Sequence, residues 1–136
     1  MKEELKGPKV ENVAVTIAKE KGEQGEWVYN VFVVNNSDNL IEGVLVSSKG
    51  YATHHSTNEE IKTSTLRHFL GDIPPHAAKK VEPIMEELFG LNNEYWVSFW
   101  INKKMYDKKY IFLPETIQAK NFVFIPVLGV YGVVIE

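Results

Sequence analysis

Apolar and polar positions alternate most clearly between Trp27 and Ser48. The run Trp27-Val-Tyr-Asn-Val-Phe-Val-Val-Asn35 is followed by the polar tetrad Asn36-Ser-Asp-Asn39 and then by Leu40-Ile-Glu-Gly-Val-Leu-Val-Ser-Ser48. β-Branched and aromatic residues suit a pleated, half-buried surface, so two such runs around a short polar break predict an antiparallel pair. In the first run Trp27, Tyr29, Val31 and Val33 share one face, and Val28, Asn30, Phe32 and Val34 share the other. Apolar residues on both faces predict a central strand with one side covered by a terminal segment.

The same period recurs on both sides of this pair. Val13, Val15 and Ile17 alternate with Ala14, Thr16 and Ala18, a first strand closed by the turn residues Lys21-Gly-Glu-Gln-Gly25. The third strand spans about residues 41–48, and a polar stretch at 51–60 follows it. Residues 63–70 read as a fourth strand, interrupted by Gly71-Asp-Ile-Pro-Pro75, and residues 79–84 as a short fifth. Pro83 suits a first helical position and Gly90 a helix end, so residues 83–90 predict one or two helical turns. Further on, Tyr95, Val97, Phe99 and Ile101 alternate with Trp96, Ser98 and Trp100. Asn102-Lys103 then closes a tight hairpin into residues 104–113. Residues 114–121 break the pattern and suit another helical turn. The segment 122–135 is too hydrophobic for a loose end and predicts sheet pairing, with Gly129–Gly132 as a turn or bulge and Pro126 at an edge.

About seven short strands between turn signals predict an all-β fold, an immunoglobulin-like antiparallel β-sandwich with one or two short helical turns. A small closed β-barrel is the alternative. Residues 1–11, polar and broken by Gly7-Pro8, form a lead-in, and residues 12–136 form the single sandwich domain. Trp27 or Trp96 is the expected bulky anchor of the core.

Composition narrows the class without naming an activity. The 136 residues are 44% hydrophobic and 24% charged, close to the globular average. Cysteine is absent, which excludes disulfides and thiolate metal sites. No apolar run reaches the ~18 residues that span a bilayer, and the first residues lack the apolar centre of a secretory signal. The expected address is cytoplasmic, with no membrane partner. Asn35-Asn36-Ser37 matches a glycosylation acceptor but is more simply a turn. A net charge of −3 argues against general affinity for a polyanion.

Candidate chemistry is sparse. His54 and His55 suggest a metal, with Glu59 and Glu60 nearby. Adjacent residues of an extended segment point to opposite sides, however, so an exposed polar loop is the simpler reading. His68 lies near Thr63, Ser64 and Thr65 without a nucleophile elbow or a carboxylate placed by spacing to orient it. Arg67 is the only arginine, and in a sheet it is expected to make a structural ion pair across the strands. Glu82, Glu86 and Glu87 could be read as general acids or bases, but Glu86 and Glu87 follow Pro83 in a first helical turn, where exposed backbone donors favour negative charge, and that explanation suffices. No glycine pattern cradles a phosphate. No catalytic set, metal site or cofactor is therefore expected. The strongest candidate partner surface is Trp96, Trp100, Lys103, Lys104, Tyr106, Lys108 and Lys109, where aromatics interleave with cations. Such a mixture stacks bases and holds phosphates. If the two tryptophans are exposed together, protein contact is the better reading.

Several runs carry a resemblance: Glu4-Leu-Lys-Gly-Pro-Lys-Val10, Leu45-Val-Ser-Ser-Lys-Gly-Tyr51, Lys62-Thr-Ser-Thr-Leu-Arg-His-Phe69, Pro83-Ile-Met-Glu-Glu87, Asn93-Glu-Tyr-Trp-Val-Ser-Phe99 and Tyr106-Asp-Lys-Lys109. Over nearly the whole chain they resemble a family of small single-domain bacterial proteins of the Bacteroidetes group, some labelled phenylalanyl-tRNA synthetase. The resemblance supplies no motif from which catalytic residues carry over. The stretch 31–47 and the following Gly-x-Ile-Pro-Pro loop also resemble fibronectin-like and adhesion-type modules, which implies binding. The expectation is a non-enzymatic β-sandwich that binds a protein or forms a homo-oligomer. The alternative is an RNA- or tRNA-associated accessory without synthetase catalysis.

Overall fold

A computed structural model, described for residues 8–54 and 59–136, contains ten strands. They are β1 (Val13–Lys21), β2 (Trp27–Asn35), β3 (Ile41–His54), β4 (Glu59–Lys62), β5 (Leu66–Ile73), β6 (Ala77–Pro83), β7 (Asn92–Ile101), β8 (Lys104–Phe112), β9 (Val123–Ile125) and β10 (Val130–Ile135). Single 3-10 turns stand at Glu86–Leu88 and Ala119–Asn121, inside the two segments expected to turn helically. His55 lies outside the described residues.

The strands form two antiparallel sheets. The first runs β6-β2-β1-β10-β9, and the second runs β3-β7-β8 with β4 and β5 sharing the free edge of β3. β2 and β3 lie in opposite sheets, β6 returns beside β2, and β7 pairs with β3. This is the Greek-key path of an immunoglobulin-like sandwich, with β1, β2, β3, β5, β6, β7 and β8 as its seven-strand frame. Among the described residues no ladder joins the two sheets, which are not closed into a barrel. β4 escaped the pattern because all four of its residues are exposed and show no alternation. Its pairing carries β3 six residues past the expected end.

The inner faces meet in one core built from Val13, Val15 and Ile17 of β1, Val31 and Val33 of β2, and facing residues of β3, β7 and β8. Its largest fully buried side chains include Tyr95, Phe99, Tyr110 and Phe112. The tryptophans do not anchor it: Trp27 is 55% exposed, Trp96 lies outside as well, and Val10 of the expected lead-in joins instead. Along β7 the odd positions face inward, which leaves Trp96 and Trp100 on the opposite side.

A second apolar cluster lies on the outer face of the first sheet. Ala14, Ala18, Phe32 and Val34 are covered there by Ile125, Val127, Leu128 and Val130 of the carboxyl-terminal segment. This is the cover predicted for the two-faced β2. The approach is close at Gly132, opposite Ala18, where an added Cβ would fall within 2.8 Å of the Ala18 Cα and closer still to the Ile17 carbonyl oxygen.

At one end, the fully buried Asn35 ties two loops together. Its amide donates to the carbonyls of Asn39 (2.8 Å), Ile73 (3.1 Å) and Pro74 (3.0 Å), and its side-chain oxygen accepts from Ser37. A group so engaged is a turn former, and a glycan has no room there.

Two substitutions test this packing. Gly132→Ala is expected to lower stability by about 2 kcal/mol or more, because backbone must move to admit the methyl group. Thr16, 1% exposed, has a hydroxyl without a hydrogen-bond partner among the described residues. Thr16→Val is expected to raise stability by about 1 kcal/mol, since it removes a buried polar atom at nearly constant shape. Urea unfolding of both variants checks these signs.

Candidate functional site

The most polar point between the sheets is Glu82. The β2–β6 ladder pairs Val31 with Glu82 but Phe32 with Lys80, so Val81 is an extra residue. A bulge re-aims the side chains beside it. Val81 and Glu82 thus both turn inward, Val81 into the core and Glu82 toward the second sheet. One oxygen, Oε1, accepts from Ser48 Oγ of β3 at 2.8 Å and meets His68 Nε2 of β5 at 2.6 Å. Tyr95 of β7 also bonds to this carboxylate. The cluster borders a cavity of about 250 Å³, with Leu66, Ile84 and Leu88 among its apolar lining.

Its connectivity decides its chemistry. Ser48 and His68 both bond to the same carboxylate oxygen, and among the described residues no hydrogen bond pairs a hydroxyl with the imidazole that would activate it. Glu82 is a clamp joining strands of both sheets. Burial, with the Glu82 charge and hydrogen bond adding to it, pushes the Tyr95 hydroxyl well above the ordinary tyrosine range. Tyr110 is raised first by burial and then by the Glu136 charge, and its hydroxyl donates to the Val13 carbonyl at 2.6 Å. Among the described residues no three acidic or histidine side chains converge to hold a metal.

The second feature is the outer face of the second sheet, where cross-strand partners form rows. One row is Arg67, Ser47, Trp96 and Lys109, and the next is Phe69, Leu45, Ser98 and Asp107. Trp100 pairs with Met105 beyond them. Five large apolar side chains are exposed on this face: Phe69 (73%), Met105 (48%), Trp96 (46%), Trp100 (45%) and Leu45 (40%). Lys109 Nζ lies 4.8 Å from the centre of the Trp96 ring, and Trp96 Nε1 donates to Asp107 at 3.3 Å. Both contacts hold the indole in place at the surface.

At one end of the face a bulge in β3 places Gly43 at φ +60°. The Gly43 amide donates to Asp72 Oδ1 at 3.0 Å. A shallow hollow of about 620 Å³ lies beside Gly43, walled by Glu42, Asp72, Trp100, Asn102 and Lys103.

The structure divides the expected partner surface. Trp96, Trp100 and Lys109 share the outer face. Tyr106 turns inward and stacks on the buried Phe99 with centroids 5.6 Å apart, and Lys108 lies over Tyr110. Lys103 sits in the hairpin turn, where Asn102 and Lys103 both have positive φ, and Lys104 begins β8. The lysines therefore form no single strip, because alternate residues of β8 face opposite ways. Arg67 lacks the expected ion pair: it is exposed, with no carboxylate within 4.0 Å among the described residues. Its cross-strand neighbour is Ser47, which carries no charge. Leu45, Phe69 and Met105 were missed as surface residues, and the available signal was the unbroken apolar run Val44-Leu45-Val46.

Comparison of the chain with protein-family models, curated proteins and solved structures gave no match. Among the described residues no helix is long and apolar enough to cross a membrane.

Tyr95 and Tyr110, the most deeply buried of the raised tyrosines, make stability fall in alkali. Each stays protonated in the folded protein where the unfolded chain ionises, so its contribution is complete below about pH 10 and is lost as pH rises toward the folded value. The expected slope above pH 10 is about −1.4 kcal/mol per pH unit for each ring. Denaturant unfolding across this range is expected to show the slope, reduced by one ring's share in Tyr110→Phe.

Proposed function

We propose that the protein is a non-enzymatic interaction module whose working surface is the outer face of β5, β3, β7 and β8. The supporting observation is the concentration of five exposed large apolar side chains on one flat sheet face. Apolar patches of this kind, rimmed by charge, mark protein contact surfaces. Aromatic side chains held by neighbours lose little freedom on binding, and Trp96 is held by Lys109 and Asp107. The Glu82 clamp supports the non-enzymatic part of the reading, because Ser48 and His68 each bond to its carboxylate and not to one another.

The accessory-RNA reading draws on the lysines of the β7–β8 hairpin, whose division between two faces disfavours a continuous phosphate track. Chemical cross-linking followed by affinity capture from native lysate tests the proposal with wild type and a Leu45→Lys/Trp96→Lys variant. The expected result is a protein partner, either the same chain or another, held by wild type and lost from the variant at unchanged melting temperature. Equal capture by both, or capture by neither, overturns the reading. A salt-sensitive gel shift with tRNA in place of protein capture transfers the role to RNA.

A further inference from the structure

We infer that the occupant of this face is a second copy of the same chain, docked so that Arg67 of each copy enters the acidic hollow of the other. The inference rests on the reading of the face given above and names its partner. The face is complementary to itself in charge and in shape.

The two ends of the face differ in the sign of their net charge, although Glu94 lies near Arg67 and Lys103 lines the hollow. Arg67 and Lys109 occupy the row through Trp96, whereas Glu42 and Asp72 wall the hollow beside Trp100. The Leu45–Ser98 row lies between them. Arg67 is exposed and lacks a carboxylate partner among the described residues. The hollow offers two carboxylates and an aromatic wall against the single cation Lys103, which leaves it net acidic and a seat for a planar guanidinium.

Symmetry then selects the register. A two-fold dimer presents the same patch from both copies, and for two sheets face to face the axis lies in the interface. An axis running across the strands at the Leu45–Ser98 row keeps each strand column and exchanges its ends. Arg67 then faces the Asp72 end of the other copy's β5, Trp96 faces Trp100, and Leu45, Phe69 and Asp107 meet their own counterparts, with Lys109 two residues from Asp107 on the same face of β8 to offset that like-charge contact. An axis along the strands would instead set β5 against β8 and bring Arg67 onto Lys109. Like charges in contact disfavour that arrangement.

The area sets the strength. Four strands about 4.8 Å apart and about eight residues long, at about 3.4 Å each, give a projected face of roughly 500 Å². That is below the ~800 Å² per partner of a standard stable interface, so the dimer is expected to be weak and in exchange with monomer.

Sedimentation velocity over a concentration series tests the inference with the full chain, Arg67→Glu, Glu42→Arg and an equimolar mixture of the two variants. Asp72 is left intact because it holds the Gly43 amide. Wild type is expected to pass from monomer to dimer, and each variant alone to weaken dimerisation by about tenfold or more. The mixture is expected to restore it, since each reversed charge then meets its opposite. Unchanged melting temperatures show that the variants fold. Dimerisation of either variant at wild-type strength, or a mixture that stays monomeric, overturns the docking. Wild type that is monomeric at millimolar concentration overturns the second copy as occupant. If capture of another protein is still lost on Leu45→Lys/Trp96→Lys, the reading of the face survives that result, and if nothing is captured both fall.

Discussion

A β-strand sends successive side chains to opposite sides, so a two-sheet protein has four faces, and every apolar face among them needs a cover. In this chain the inner faces cover each other, with Tyr95, Phe99, Tyr110 and Phe112 supplying much of the bulk. The outer face of the first sheet carries Phe32 and Val34 and is covered by the segment that includes Ile125 and Val127. The outer face of the second sheet carries Phe69, Leu45, Trp96 and Trp100, which remain exposed. The two outer faces are built on the same alternation and differ in whether the chain folds a segment across them. That asymmetry is the physical basis of the functional reading.

The polar groups of the interior tie the frame together. Glu82, turned inward by the bulge at Val81, gathers Ser48, His68 and Tyr95 from three strands of the opposite sheet. A half-buried carboxylate with several donors is tolerated because protein groups replace much of its water. Asn35 does the same at another corner, fastening the β2–β3 turn to the carbonyls that follow β5. A serine, a histidine and a glutamate within one cluster resemble catalytic parts only as a list. Their connectivity is that of a tie between strands, with Ser48 and His68 both bonded to Glu82.

Much of the frame was legible because period two and turn chemistry act locally. The positive φ at Asn102 and Lys103, the inward Tyr95, Val97 and Phe99, and the covered β2 all followed from short stretches of sequence. What escaped depends on tertiary partners. β4 is exposed throughout and exists by pairing with the extension of β3. The Glu82 clamp depends on a bulge that no residue type announces. The candidate surface was half legible: Trp96, Trp100 and Lys109 belong to it, but Tyr106 and Lys108 took the other face once β8 fixed its register. Arg67 failed to pair because register set it beside Ser47, and Leu45 and Phe69 came next to Trp96 through ladders between strands distant in sequence.

The central claim is that the outer face of β5, β3, β7 and β8 is wet in the monomer and dry in its complex. Tryptophan emission in a Trp27→Phe background reports on Trp96 and Trp100 alone, since the chain has three tryptophans. The account predicts water-like, readily quenched emission at high dilution that shifts to the blue and becomes protected from acrylamide as concentration rises. Emission that is already blue and protected at the lowest concentration would contradict it, as would emission that stays water-like throughout.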